Sequence, residues 1–323
     1  MDRRDFLKSL ALAGLGTTLL AGCRSGGSGG GSAAAQAGGK VGNNRLVPAP
    51  VNGVHIAVAR NKAPAELVAA ALAAFGGMSA FVKPGDRVVI KPNIAWSRTP
   101  EQAACTSPEV LTAVIKACQE AQAAEVLVAD HTCDTSSITF DLSGLAAACK
   151  DADVPLVDWG NEQQYREVEL ARGQNLKTDR VPLDLLDCDA YINLPTLKHH
   201  AATTITLALK NQMGCVWDRG RYHSTQGAAG GNNLHRNIAD LATALRPTLN
   251  ILDATRALKT NGPKGPGLVE ELNTVCISPD IVALDAYGAR LLGHDPASIP
   301  HIKMAAADQI GEMQPDASLI RVV

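Results

Sequence analysis

The residues best equipped for chemistry lie between Asn193 and Asn211, where Asn193-Leu-Pro-Thr-Leu-Lys198-His199-His200 is followed by Leu209-Lys210-Asn211. Two lysines, two histidines and two asparagines thus leave an apolar strand, Ala190 to Leu194, in an otherwise aliphatic chain. Long cationic side chains are rarely fully buried without a partner. Gathered at a strand end, they imply a pocket for something anionic or metal-bearing.

The same kind of residue recurs after other apolar runs. Lys91 and Asn93 follow Arg87 to Ile90, Asp130 and His131 follow Glu125 to Ala129, and Asp253 follows Thr248 to Leu252. In open parallel sheets the carboxyl ends of strands form the ligand crevice. The expected cleft therefore draws on Lys91, Asn93, Asp130, Asn193, Lys198, His200, Lys210, Asn211 and Asp253. Lys264 joins them from the loop Asn261-Gly-Pro-Lys-Gly-Pro-Gly267.

Lysine ammonium groups bind phosphate or carboxylate as point charges, and a glycine loop can bring backbone N–H groups to the same ligand. A lysine beside other cations can instead lose its proton and act as a base or Schiff-base nucleophile, a secondary reading here. Histidine is the commonest metal ligand, so His200, His131 and Asp130 are the metal candidates, and whether a metal is bound stays open. His199 and His200 should face opposite sides of an extended chain and not share an ion. His-Glu-x-x-His, Gly-x-Ser-x-Gly and Walker motifs do not occur, so the common hydrolase and nucleotide readings lack support.

Strands and helices alternate along the chain. Val54 to Val58, Arg87 to Ile90, Glu125 to Ala129, Val154 to Val157, Ala190 to Leu194, Thr248 to Leu252, Asn273 to Ile277 and Ser318 to Val322 read as strands. Between them, Ala63 to Phe75, Ser107 to about Gln122, Leu142 to Lys150, Thr203 to Asn211, Leu234 to Leu245, Asp280 to Leu292 and His301 to Ile310 read as helices. Thr106-Ser107-Pro108-Glu109 has the hydroxyl cap and first-turn proline of a helix start. Trp217 to Asn233 reads as a long polar loop, and the stretch before Asp187 as polar and less regular. Near-continuous apolar strands alternating with helices imply an α/β fold: a mainly parallel sheet with helices on both faces, as one domain or two packed lobes.

The first residues carry an address. Asp2-Arg3-Arg4-Asp5-Phe6-Leu7-Lys8, the short apolar run Ser9 to Leu20 and the lipobox Leu20-Ala21-Gly22-Cys23 follow one another in the order of a twin-arginine lipoprotein signal. Residues 1–22 are the expected signal peptide and Cys23 the lipidated N-terminus. Residues 23–45, rich in Gly, Ser and Ala, form a flexible tether, and 46–323 form the α/β body. The expected location is the periplasmic side of a membrane, reached through the twin-arginine export machinery and held by lipid.

Composition narrows the partners. With 30 basic and 32 acidic residues, a net charge of −2 and 3% aromatic residues, the chain has neither a basic stripe nor the stacking rings for nucleic acid. Setting Cys23 aside leaves seven cysteines, an odd number with no Cys-x-x-Cys. Their spacing matches neither an iron–sulfur run nor a structural zinc site.

The body resembles the bacterial and archaeal family known as domain of unknown function 362. The resemblance rests on Val88-Val-Ile-Lys-Pro-Asn93, Thr106-Ser-Pro108, Val126-Leu-Val-Ala-Asp130, Ile192-Asn-Leu-Pro-Thr-Leu-Lys-His-His200, Thr206-Leu-Ala-Leu-Lys-Asn211 with Gly214, the 261–267 loop, and Ile277 to Gly293. It implies an α/β body with these polar residues around one cleft. Many relatives carry a ferredoxin-like iron–sulfur module, but this chain lacks the cysteines, so that cofactor is disfavoured. The expected function is binding of, or action on, a small anionic ligand, with or without a metal. The alternatives are a non-catalytic metal- or anion-binding lipoprotein and an accessory subunit of a periplasmic oxidoreductase.

Overall fold

A computed structural model describes residues 39–224 and 233–323. The expected signal peptide, Cys23, the expected tether up to residue 38 and the middle of the 217–233 loop lie outside the described residues. In chain order the first elements are β1 (Ile56–Arg60), α1 (Pro64–Ala73), β2 (Arg87–Pro92), α2 (Pro108–Glu120), β3 (Glu125–Asp130), α3 (Ser136–Leu142), α4 (Leu145–Asp151) and β4 (Leu156–Asp158). The middle of the chain forms β5 (Tyr165–Glu169), β6 (Thr178–Pro182), α5 (Leu183–Asp187), β7 (Ala190–Leu194), β8 (Thr196–His200), β9 (Thr204–Thr206), α6 (Ala208–Asn211) and α7 (Gly220–Ser224). The last part forms α8 (Leu234–Ala244), β10 (Leu249–Leu258), β11 (Val269–Ser278), α9 (Ile281–Leu291), α10 (Pro300–Ala307) and β12 (Ile320–Val322).

One sheet runs β12-β1-β11-β10-β7-β2-β3-β4, with β8 continuing beside β10 past the end of β7, and β9 folded back on β8. The run from β10 through β7, β2 and β3 to β4 is parallel, while β11 is antiparallel to both its neighbours. The fold is therefore α/β with a mainly parallel sheet. Alternate strand residues supply opposite cores, as the two-residue period of a strand requires. Val88, Ile90, Val126, Val128 and Ile192 pack with Leu67 and Val68 of α1 and Val110 and Val114 of α2. Val89, Leu127, Tyr191 and Leu252 face the other way, with Leu241 of α8, Ile281 of α9 and Ile302 of α10. Helices thus cover both faces. Among the described residues no helix is long and apolar enough to cross a membrane.

The start of α2 forms as its sequence implies: Pro108 opens the helix and the Ser107 hydroxyl accepts from Val110 N. Several elements depart from expectation. Thr203 to Asn211 is not one helix: Thr204–Thr206 pairs with β8, and only Ala208–Asn211 is helical. The expected 142–150 helix begins only at Leu145, after Gly144 at φ 76°, and Leu142 instead ends the separate helix α3. The stretch before Asp187 forms the antiparallel β5–β6 hairpin, and Gly220–Ser224 gives the 217–233 loop a helical turn.

The strand expected to stop at Asp253 runs on to Leu258, with an irregularity in pairing between Ala254 and Arg256. The buried Asp253 carboxylate accepts from Ser107 N at 2.7 Å, Thr255 N at 3.0 Å and Thr255 Oγ1 at 2.6 Å. It fastens the beginning of α2 to β10. Asp253→Ala strands buried donors, which cost about 1–3 kcal/mol each. In chemical denaturation the variant should lose roughly 2–4 kcal/mol of stability; a loss below about 0.5 kcal/mol, the range of ordinary surface changes, would remove this anchoring role.

Candidate functional site

A cavity of about 290 Å³ opens at the carboxyl ends of β2 and β3, against β8, β9 and α6. Lys91, Asn93, Asp130, Lys198, His200, Lys210 and Asn211 all line it, together with His131 and Cys133. Residues from four separate stretches of chain therefore converge on one place.

A polar row in the sheet holds them there. Lys91, Asn193 and Asn250 are register neighbours across β2, β7 and β10. Asn193 Nδ2 donates to Asn250 Oδ1 and to Ala208 O, both at 3.0 Å, and Asn193 Oδ1 accepts from Asn211 Nδ2 at 2.8 Å. Asn211 Oδ1 in turn accepts from Asn93 Nδ2 at 2.8 Å and from Lys91 Nζ at 3.0 Å. Asn93 Oδ1 accepts from Lys198 Nζ at 2.8 Å. The amides form a continuous buried chain linking two lysines. Buried polar groups of this kind are tolerable only when each is partnered.

The lysines differ in how their protons are used. Lys91 Nζ meets Asp130 Oδ1 at 2.8 Å and also donates to Pro92 O and Asn211 Oδ1, which uses all three N–H bonds. Asp130 is equally occupied, accepting from His131 N on one oxygen and from Ile94 N on the other. Lys198 donates to Asn93 Oδ1 and, at 2.5 Å, to Ala104 O, leaving one N–H. Lys210 faces the cavity with no hydrogen-bond or carboxylate partner among the described residues. Burial pushes the Lys198 and Lys210 ammoniums down to about 8; for Lys210 the charges of Lys198, Arg219 and Lys91 add to the push.

The histidines divide as an extended chain requires. His199 Nδ1 accepts from Gly262 N at 3.1 Å and holds the 261–267 loop, whereas His200 turns into the cavity. His200 Nδ1 accepts from Ala202 N at 3.0 Å, and burial with the nearby Lys210 and Lys198 charges drives the ring down to about 3. The ring is therefore neutral at physiological pH, with its proton on Nε2. His223 also lines the cavity, while His235 lies off it, its Nδ1 3.0 Å from Nδ1 of the buried His301. Among the described residues no group of three or more His, Cys, Asp or Glu is placed to hold a metal ion. The seven cysteines from Cys105 onward are free thiols, six of them buried, and do not gather as cluster ligands.

The sequence profile described as "Domain of unknown function (DUF362)" matches residues 88–290. The chain belongs to the DUF362 family. A thylakoid-associated protein of Synechocystis sp. is 34% identical over 245 residues, covering 73% of this chain and 71% of its own. Among solved structures, the lactate racemase apoprotein of Thermoanaerobacterium thermosaccharolyticum superposes with a TM-score of 0.47 at 12% identity. That match covers 78% of this chain and 60% of the racemase chain.

Every cavity-lining residue of this DUF362 protein falls inside the matched span. Three expected cleft residues do not line the cavity: Asn193 lies beneath it in the amide chain, Asp253 anchors α2, and Lys264 sits at the rim with Nζ 5.6 Å from the centre of the Trp96 ring. Other contributors carry weaker sequence signals. Arg219 donates to the carbonyls of His131 and Thr132 and lines the wall. A Cβ at Gly214 would collide with Asp130 Oδ1 and Lys91 Nζ, so any other residue there would have to displace that ion pair. Thr206 is buried with its Oγ1 unpartnered among the described residues, and it too lines the cavity. Its signal was hidden because the segment reads as helix. One further residue holds α6: the buried Asp285 carboxylate of α9 accepts from Ala208 N and Leu209 N at 2.7 and 2.9 Å.

Lys210 is half-buried, and partial removal of its ammonium from water disfavours the charged form in the folded protein. Its folded pKa lies below its unfolded value, so the folded state resists protonation and the penalty is complete below about pH 8. Lys210→Met should therefore be more stable than wild type at pH 6 to 7, and this advantage should shrink between about pH 8 and 10.5. Denaturation of both proteins across that range checks the sign; an advantage that grows with pH would contradict it.

Proposed function

We propose that this protein is an exported, membrane-tethered member of the DUF362 family whose cationic cavity binds, or acts on, a small anion. The observation that carries the reading is the Lys210 ammonium, set in the cavity beside Lys198 with no acceptor of its own among the described residues. Lys91 has Asp130, but among the described residues no second carboxylate lines the cavity to balance Lys198 and Lys210. An anionic ligand would supply the missing charge, and the Thr206 hydroxyl and the remaining Lys198 N–H offer it directed bonds. The volume, about 290 Å³, suits a small molecule and sits at the lower edge of ordinary ligand pockets. A metal would have to enter with the ligand or use His200 and His131 with few protein donors.

Anion binding is tested with the full chain, by thermal denaturation with inorganic phosphate and with small carboxylates at pH 6.5. A ligand at a hundredfold its Kd stabilises by about 2.7 kcal/mol, a shift of several degrees that Lys198→Met or Lys210→Met should abolish. Binding should weaken up to about tenfold per pH unit above pH 8, where each lysine that releases its proton stops attracting the anion. An unchanged melting temperature with every anion would end this reading.

The address rests on Arg3, Arg4 and the lipobox at Cys23, and the thylakoid-associated description of the Synechocystis relative is in keeping with a membrane location. Replacing Arg3 and Arg4 together by lysine should keep the chain in the cytoplasm. Cys23→Ser should prevent acylation, followed with a labelled fatty acid, and stop lipid anchoring. Normal export of the first variant, or acylation of the second, would refute the assignment.

A further inference from the structure

Among the described residues three lysines line the cavity, and one of them, Lys210, has an amine without a hydrogen-bond or carboxylate partner. A nucleophilic lysine needs a lone pair that is neither protonated nor engaged, a condition favoured beside other cations in a desolvated site. Lys91 is held by Asp130, Asn211 and the Pro92 carbonyl, and Lys198 by Asn93 and the Ala104 carbonyl. Both are held in place as hydrogen-bond donors, Lys198 with one N–H to spare. Lys210 rises from the single turn of α6, whose first two N–H groups are clamped by Asp285, so its backbone is fixed while its amine is unengaged.

Beside it lies a seat for a carboxylate. Lys198 and Thr206 are register neighbours across β8 and β9. Lys198 retains one N–H, and the buried Thr206 Oγ1 has no partner among the described residues. His200, neutral and protonated on Nε2, adds a hydrogen-bond donor suited to a carbonyl oxygen. A ligand with an anionic end and a carbonyl carbon next to it would satisfy all of these groups.

Resting on the anion-binding reading, we propose that Lys210 is a carbonyl-reactive amine that forms an imine with a small oxo acid held by Lys198 and Thr206. The Nζ lone pair attacks the carbonyl carbon, and the C–O π electrons move to oxygen, facing His200. Protons from nitrogen and solvent convert that oxygen to water, which leaves as the C=N bond forms. The balance is lysine ammonium plus oxo acid giving protonated imine plus one water, with no net proton change and no redox partner. The charged and titratable groups around Lys210 are Lys91, Asp130, His131 and Cys133 from the β2 and β3 ends, Lys198 and His200 from β8, and Arg219 and His223 near α7. The cations among them, Lys91, Lys198 and Arg219, outnumber the one carboxylate, Asp130, so they favour the free amine before reaction and the carboxylate during it.

The test uses the full chain with pyruvate and cyanoborohydride at pH 7.5, followed by peptide mapping for carboxyethyl-lysine. Modification at Lys210 should exceed the mean of the other lysines by at least about tenfold, the ratio set by one unit of pKa. Lactate, which has the carboxylate but no carbonyl, should suppress it, and Lys210→Arg should remove it. Labelling spread evenly over the lysines, or centred on Lys198, overturns the proposal. If pyruvate and phosphate stabilise the protein yet no adduct forms at Lys210, the imine proposal falls and the anion site stands. If neither anion stabilises it and no adduct forms, both fall.

Discussion

Removing a lysine ammonium from water is costly, and the protein does so at the heart of its sheet. Lys91 and Lys198 are both buried where the strands end. Each needs oxygen acceptors close at hand, because an unpaired buried charge is among the least tolerable features of a fold. The acceptors come from Asp130, from main-chain carbonyls and from Asn93 and Asn211. The asparagines then need partners of their own, which leads through Asn193 to Asn250 and onward to the Ser278 carbonyl of β11. One requirement at the cavity is thus passed from strand to strand across the sheet.

That chain explains why distant parts of the molecule are interdependent. Gly214 lacks a side chain because the Lys91–Asp130 pair occupies its space. Helix α6 can be only one turn long and still hold Asn211 and Lys210, because Asp285 of α9 satisfies its first N–H groups and Asn193 satisfies the Ala208 carbonyl. Burial pushes the Asp285 carboxyl up to about 7 despite those two N–H donors, which shows how far from water the support lies. The second layer of the site is as buried as the first.

Much of this was readable in the sequence, and the exceptions have physical causes. Apolar runs followed by Lys91, Asp130 and Lys198 located the cavity because a parallel sheet gathers its strand ends on one side. Asp253 looked like another strand end, but β10 continues through it and the carboxylate turns to the α2 N-terminus instead. Lys264 belongs to a loop that only skirts the rim at Trp96. Thr206 was obscured because Thr203 to Asn211 carries mixed signals, and pairing with β8 outweighs local helix preference. Arg219 and His223 come from an irregular stretch where no periodicity reports which side chains turn inward. The Asp285 clamp is a contact between residues more than seventy positions apart.

The amide chain has one further consequence. Asparagine side chains neither gain nor lose protons in the physiological range, so the links from Asn93 to Asn250 are the same in acid and in alkali. Near pH 8 the lysines exchange protons inside a frame that does not. Acidity can therefore tune how strongly the cavity attracts its guest while leaving its outline untouched, a rigid mould with an adjustable field.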